Sequence, residues 1–267
     1  MRLAFLGTPA MAVPSLHALV AAGHEVAIVV TGADKRRGRG SELSASPVKA
    51  AAIEHGLLVT DVVDDVLAHD VELGVVVAFG RMIRPNVLDE VPMVNSHFSL
   101  LPRWRGAAPV ERALLAGDTE TGVCLMRLEA GLDTGPVYDT VRVPIEPTAT
   151  AQELRAALVL VGVEQLVRCL SGPLPEPVEQ HGEPVYAAKI QASELRIDWS
   201  QPAVQIDRLI RVGGAWTLFR GKRVKVLAAT IDEGKLRIVT VRPEGKPAMS
   251  FTDFENGARP RPDEFFE

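Results

Sequence analysis

Met93-Val94-Asn95-Ser96-His97, running on into Phe98-Ser99-Leu100-Leu101-Pro102, is the stretch on which the fold turns. Its first five residues suit an inner strand, and the proline stops regular structure just beyond. Side chains along a strand alternate faces, so Asn95, His97 and Ser99 share one face where strand gives way to loop. Open α/β sheets hold their ligands at that end of their strands. Working outward, short apolar runs at Leu3–Leu6, Val26–Val30 and Leu73–Ala78 alternate with helix-like stretches such as Val13–Ala22 and Val48–His55. This β-α-β-α rhythm predicts a doubly wound α/β domain with a mainly parallel sheet covered on both faces.

Downstream, Glu120–Leu128 and Val137–Pro144 read as strands flanking Gly131-Leu132-Asp133-Thr134-Gly135, and Thr150–Leu170 has helical spacing. Gly172-Pro173-Leu174-Pro175-Glu176-Pro177 cannot continue a helix and reads as a semi-rigid spacer. The expected division is a catalytic domain over residues 1–171, a Pro-rich linker over 172–186 and a smaller, mostly β module over 187–267. In that module Pro202–Arg211 reads as a short helix, and Trp216–Phe219, Arg223–Leu227 and Leu236–Val241 read as short strands.

Composition narrows the class. With 47% apolar residues in 267, the chain can build a substantial core. No apolar run approaches the ~18 residues that a membrane span needs, and no leader pattern precedes the first strand, so a cytoplasmic protein without a membrane anchor is expected. Two cysteines, Cys124 and Cys169, make neither a disulfide framework nor a metal cluster, and the histidines lack metal-ligand spacing, so no metal is expected. A monomer is favoured. The net charge is −5, but it is unevenly spread: residues 1–188 hold 15 Lys and Arg against 23 Asp and Glu, whereas residues 189–247 hold 12 against 6. A basic block between acidic neighbours is the footprint of a surface that meets phosphate, although a solvated face of a small module could carry the same excess.

The chemistry is concentrated around His97. An amide, an imidazole and, from the glycine-flanked turn, the carboxylate of Asp133 could together perform acyl transfer. Taken singly, a buried Asn or His is more often a satisfied core group, and Asp-Thr-Gly is a common turn. The long loop that follows, Ser99 to Pro102 and then Arg103-Trp104-Arg105-Gly106-Ala107-Ala108-Pro109, mixes cations, aromatics and glycine, which is unlike a plain connector. A Ser99-His97-Asp133 triad ranks lower, since Ser99 lacks the strained turn that exposes a nucleophilic serine. Gly7-Thr8-Pro9 after the first strand lacks the later glycines of a dinucleotide fingerprint.

Asn95-x-His97-x-Ser99-Leu100-Leu101-Pro102-x-Trp104-Arg105-Gly106-Ala107-Ala108-Pro109 followed by Gly131-Leu132-Asp133-Thr134-Gly135 resembles the formyltransferases that use 10-formyltetrahydrofolate. Gly38-Arg39-Gly40 through Ser46-Pro47-Val48-Lys49, Ile197-Asp198-Trp199-Ser200 and the Met249 to Gly257 stretch extend the likeness over nearly the whole chain, and the Gly38–Lys49 loop and the Trp104–Pro109 segment favour the branch that formylates methionyl initiator tRNA. The resemblance implies a Rossmann-like formyltransferase domain with an OB-like barrel module, and 10-formyltetrahydrofolate as co-substrate. It implies catalytic roles for Asn95, His97 and Asp133. Asn95 and an imidazolium at His97 would hold charge developing on the formyl oxygen, while Asp133 would orient His97 and pass on the amine's proton through water. Ser99, Leu100, Leu101 and Pro102, with Phe79 and Gly80 nearby, would line the folate pocket.

The loop Ala33-Asp34-Lys35-Arg36-Arg37-Gly38-Arg39-Gly40 puts four cations among glycines, a good phosphate-reaching arm or simply a solvated charge run. The resemblance makes Lys35, Arg36, Arg37 and Arg39 tRNA-binding and the 187–267 module tRNA-contacting. It also shows departures: the module is shorter than usual, and Arg211-Val212-Gly213-Gly214-Ala215-Trp216 lacks the Asn-Pro-x-Pro that precedes Trp in many relatives. Two rival readings are a sugar-nucleotide N-formyltransferase with the same triad and a non-catalytic RNA-binding protein.

Overall fold

A computed structural model describes residues 1–36, 43–261, 264 and 266–267, with Lys35 and Arg36 described by backbone alone. Along the chain run β1 (Arg2–Gly7), α1 (Val13–Ala21), β2 (Glu25–Val30), β3 (Lys35–Arg36), β4 (Leu43–Ser44), α2 (Pro47–Glu54), β5 (Val59–Thr60) and β6 (Leu73–Val77). There follow α3 (Pro85–Leu88), β7 (Met93–His97), β8 (Arg103–Gly106), α4 (Pro109–Ala116), β9 (Glu120–Arg127), β10 (Val137–Pro144) and α5 (Ala151–Leu170). The remainder is β11 (Val185–Ala187), α6 (Ala203–Val212), β12 (Trp216–Phe219), β13 (Lys222–Asp232), β14 (Lys235–Pro243), β15 (Met249–Ser250) and α7 (Phe251–Ala258).

Two compact units emerge. The first comprises Met1–Pro109, Glu120–Pro144 and Arg155–Ala187; the second comprises Val110–Thr119, Ile145–Leu154 and Ala188–Glu267. The first unit is a seven-stranded sheet in the order β10-β9-β7-β6-β1-β2-β5, parallel from β7 to β5. It turns antiparallel at β9 and β10. The central strands β1 and β6 are buried at almost every position, as expected where helices cover both faces. One apolar cluster joins Leu3, Phe5 and Val75 to Leu16 and Leu19 of α1 and Leu166 of α5; another joins Leu6, Ile28 and Met93 to Val66 and Val87. Helix α2 begins where the sequence signals it, with Ser46 as N-cap accepting from Lys49 N–H and Pro47 at the first turn.

The segment from Gly172 to Tyr186 is fastened to this unit at two points. Val178 and Val137 exchange both backbone hydrogen bonds at 2.8 Å, and β11 lies parallel to β8. In the second unit an antiparallel sheet runs in the order β12-β13-β14-β15. Ile206 and Ile210 of α6 pack on Ile197, Ala215 and Val226, and Phe254 of α7 packs on Phe219, Val224 and Val241. Among the described residues, no helix is long and apolar enough to cross a membrane.

Candidate active site

Helix α5 decides which way β7 faces. A Cβ on Gly162 would stand 3.3 Å from Ser96 Oγ and 3.4 Å from the Phe98 ring, so Ser96 and Phe98 turn toward this helix. Asn95 and His97, one residue out of phase, present the other face of the sheet. Asn95 is opposite Met126 and His97 opposite Cys124 on β9. His97 is buried to 6% exposure, whereas Asn95 is half-buried and its side-chain amide has no hydrogen-bond partner among the described residues. A preorganised, uncommitted donor beside a buried imidazole is what an oxyanion site requires.

The protein's own backbone fixes the imidazole. His97 Nε2 lies 2.9 Å from the Trp104 carbonyl oxygen, which can only accept, so Nε2 carries the hydrogen. That leaves Nδ1 for chemistry, and Nδ1 is 3.7 Å from Asp133 Oδ2: ion-pair range, beyond a direct hydrogen bond. Catalytic contacts often tighten only when substrate arrives. Trp104 reaches this position at φ +67°, where a bulky residue costs about 1–3 kcal/mol, more than the roughly 1 kcal/mol net of one hydrogen bond. Further anchors are therefore needed. Ser99 Oγ donates to Arg103 O at 2.6 Å, the Trp104 ring is buried, and Gly106 lies at φ +121° so close to Ala187 O that a Cβ would stand 2.9 Å from it.

Asp133 is held as firmly. Its φ is +51°, a left-handed conformation that Asp tolerates better than most residues, and its Oδ2 accepts the Gly106 N–H at 2.8 Å. Two residues on, a Cβ at Gly135 would stand 2.1 Å from Arg127 O, so glycine is required for the turn to lie against β9. The structure thus brings His97 and Asp133 together from distant parts of the sequence and leaves Asn95 on the same strand face.

Ser99 is fully buried with its hydroxyl committed to Arg103, which suits a loop anchor and not a nucleophile. Leu100 packs toward β9, its Cδ2 only 2.5 Å from where a Cβ on Gly122 would stand, and Leu101 and Pro102 are half-buried. Phe79 is buried under the Arg81 guanidinium at 5.3 Å, while Gly80 is exposed at φ +70°. Strands β6 and β7 are parallel neighbours with Val76 beside Asn95, so the 78–80 and 98–102 loops leave the sheet at one edge. Ala78 lies at φ +49°, a strained conformation of the kind that gathers at ligand sites.

Of the cationic loop, Lys35 and Arg36 form a two-residue strand paired with Leu43 and Ser44, and Arg37 and Arg39 lie outside the described residues. At the loop's base the Lys49 ammonium pairs with Asp34 at 2.7 Å. Sequence reasoning missed the groups that hold His97 and Asp133: the Trp104 carbonyl, the Gly106 N–H and the side chain of Gln180. The backbone groups carry no sequence signal, and Gln180 lies in a stretch whose prolines dominate its reading. Burial pushes the Cys124 thiol up, with hydrogen bonds from Thr140 and Leu101 opposing, and pushes Cys169 up as well.

The chain is similar to known proteins over nearly its whole length. The family described as formyl transferase matches residues 1–170, and the formyl transferase C-terminal domain matches residues 189–235. A methionyl-tRNA formyltransferase of Dinoroseobacter shibae is 48% identical over 251 residues, covering 88% of this chain and 84% of that protein. Another, of Roseobacter denitrificans, is 42% identical and covers 97% of this chain and 96% of its own. Among solved structures, the methionyl-tRNA formyltransferase of Clostridium thermocellum has a TM-score of 0.67 over 91% of this chain and 98% of that one, at 15% identity. An N-formyltransferase of Helicobacter canadensis, solved with folinic acid and dTDP-3-aminofucose, reaches 0.64 over 93% of this chain and 98% of its own, at 17% identity. At such identities the structural likeness speaks for the fold alone.

Proposed function

The chain belongs to the formyl transferase family, and we propose that Asn95, His97 and Asp133 carry out its reaction on methionyl initiator tRNA. The protein is a transferase of translation initiation: it moves a formyl group from 10-formyltetrahydrofolate to the α-amine of methionyl-tRNA, as the names of its relatives at 40–48% identity indicate. Sugar N-formyltransferases share the fold only at 17–18% identity. The observation that carries the assignment of the site is the buried His97–Asp133 pair with the uncommitted Asn95 amide on the same strand.

In this reading a C–N bond forms between the α-amine and the formyl carbon while the bond from that carbon to the donor nitrogen breaks. Charge gathers meanwhile on the formyl oxygen. Asn95 donates its amide N–H to that oxygen. His97 can meet it only through Nδ1–H, because Nε2–H is committed to Trp104. Asp133 aligns the ring, and with water takes the surplus amine proton and returns it to the departing nitrogen. Leu100, Leu101 and Pro102, with Phe79 and Gly80, line the folate pocket at the sheet edge, and the buried Ser99 anchors their loop through Arg103 O. This edge suits a flat, largely apolar ligand, for it offers aliphatic walls and an open glycine.

For tRNA, Lys35, Arg36, Arg37 and Arg39 form the arm that reaches phosphate. In the second unit Lys225 is flanked by Trp216 on β12 and Arg242 on β14. Arg223 and Arg196 lie over the Trp216 ring at 4.1 and 5.7 Å. Such a cationic, aromatic row suits a nucleic-acid backbone, whereas Arg211, Arg220 and Arg237 of the same block are paired with Asp207, Glu264 and Asp232. The enzyme works as a cytoplasmic monomer, with residues 1–171 as catalytic domain and 187–267 as the tRNA-contacting module. Purified protein given 10-formyltetrahydrofolate with methionyl-tRNA, an amino-sugar nucleotide or water alone should consume only the tRNA. Formylation confined to the sugar would overturn the reading.

A further inference from the structure

We propose that Gln180 is a positioning residue for formyl transfer, holding the Asp133 turn in place against the strand that carries Arg105 and Gly106. The inference rests on the role of Asp133 proposed above. Gln180 Oε1 accepts from Arg105 Nε at 3.1 Å and Nη2 at 2.7 Å. Its Nε2 donates to the carbonyl oxygens of Asp133 at 2.9 Å and Gly135 at 2.7 Å. All four bonds use the amide in the one orientation it can take, since a flip would set Oε1 against two carbonyls and Nε2 against a guanidinium.

The turn is therefore clamped from both ends. Its carboxylate is held by Gly106 N–H and its backbone by Gln180, and Gly106 and Arg105 are neighbours on β8. Gln180 is itself located by the two fastenings on either side of it, the Val178–Val137 exchange and the β8–β11 pairing. A turn whose catalytic residue sits at φ +51° does not hold itself, and these bonds set the 3.7 Å between Asp133 and His97. No other side chain has this shape: Glu keeps the acceptor for Arg105 but turns a second oxygen on the two carbonyls, and Ala leaves all four partners to water.

The test measures kcat and KM for formyl transfer in Gln180→Ala, Gln180→Glu, Asp133→Ala and the Gln180→Ala/Asp133→Ala double variant, with folding checked by near-UV circular dichroism. Misplacing a catalytic group by about 1 Å costs on the order of a hundredfold. Both Gln180 variants should thus lose kcat by about 10- to 100-fold with KM for either substrate within about twofold, and the Gln180 change should cost almost nothing further once Asp133 is gone. A folded Gln180→Glu enzyme with wild-type kcat overturns the inference, as does a loss that multiplies in full with that of Asp133→Ala. Gln180→Glu keeps side-chain size and the Arg105 partner, so it carries the test should Gln180→Ala fail to fold. If Asp133→Ala retains wild-type kcat, the reading of the site falls, and this inference with it.

Discussion

Gly135→Ala tests whether kcat depends on where the Asp133 turn lies, because the perturbation can be sized from the structure. A Cβ at residue 135 would stand 2.1 Å from the Arg127 carbonyl oxygen, where ordinary contact begins at 3.4 Å. Something must give by roughly 1.3 Å, the difference of those two distances. Arg127 ends β9, which is bonded to both β7 and β10, and its own N–H is bonded to Pro136 O at 2.8 Å. The strand is the stiffer partner, so the turn moves and takes Asp133 with it. A displacement near 1 Å at a positioning group costs about a hundredfold in rate, and the overpacking costs about 1–3 kcal/mol of stability. Formyl transfer to methionyl-tRNA at saturating concentrations of both substrates should thus fall roughly a hundredfold in an enzyme that melts lower but still cooperatively. Gly172→Ala, where a Cβ would meet nothing within 4 Å, is the matched control and should behave as wild type. A folded Gly135→Ala enzyme with kcat within about twofold of wild type would refute the claim that the turn positions the catalytic carboxylate.

Asn95→Ala removes a donor with no structural partner, so kcat should fall by roughly a hundred- to a thousandfold while the melting temperature and KM hardly move; a loss confined to KM would contradict the assignment. His97→Ala and Asp133→Ala should each be similarly severe, with the double variant far short of the product of the two losses in a kinetic cycle. Neutralising Lys35, Arg36, Arg37 and Arg39 should weaken tRNA binding and flatten its log–log salt dependence by roughly 0.7 to 0.9 per lost contact, as measured by filter binding at several salt concentrations. Cys124 and Cys169 are buried with thiols pushed up, so at neutral pH they stay protonated and mass spectrometry should find neither alkylated by iodoacetamide until the protein is unfolded.

Much of this architecture was legible because burial on both faces writes itself into composition. The inner strands β1, β2 and β6 are rich in Val, Leu, Ile and Ala, β7 opens on Met93 and Val94 before its polar residues, and β9 and β10 fall on either side of the glycine-flanked turn. The same logic located α6 and β12 to β14. It could not see β8 or β11, four and three residues long and polar in part, since they are strands only by virtue of pairing with each other. Nor could it see α7, which owes its start to the Ser250 cap and its anchorage to Phe254 against Phe219. At the site, Asn95, His97 and Asp133 could be named because their side chains are chemically conspicuous. The Trp104 carbonyl and the Gly106 amide could not, because every residue has such groups and only the backbone course of the 103–106 segment, with Trp104 at φ +67°, aims them.

That division has a mechanistic consequence. Both titratable members of the site are fixed largely by main-chain partners: His97 by the Trp104 carbonyl, and Asp133 by the Gly106 amide, with the Gln180 side chain holding the Asp133 and Gly135 carbonyls. Main-chain groups keep their dipoles whatever side chain they carry, so the pair stays aligned through many substitutions on the 103–106 and 131–135 segments. What it cannot survive is a shift of the backbone itself. Positions whose backbone must approach another strand closely, Gly106 against Ala187 and Gly135 against Arg127, should then be less tolerant than the exposed Arg103 or Leu132 between and beside them. Within these two supporting segments, sensitivity to substitution follows how closely the backbone approaches its neighbour.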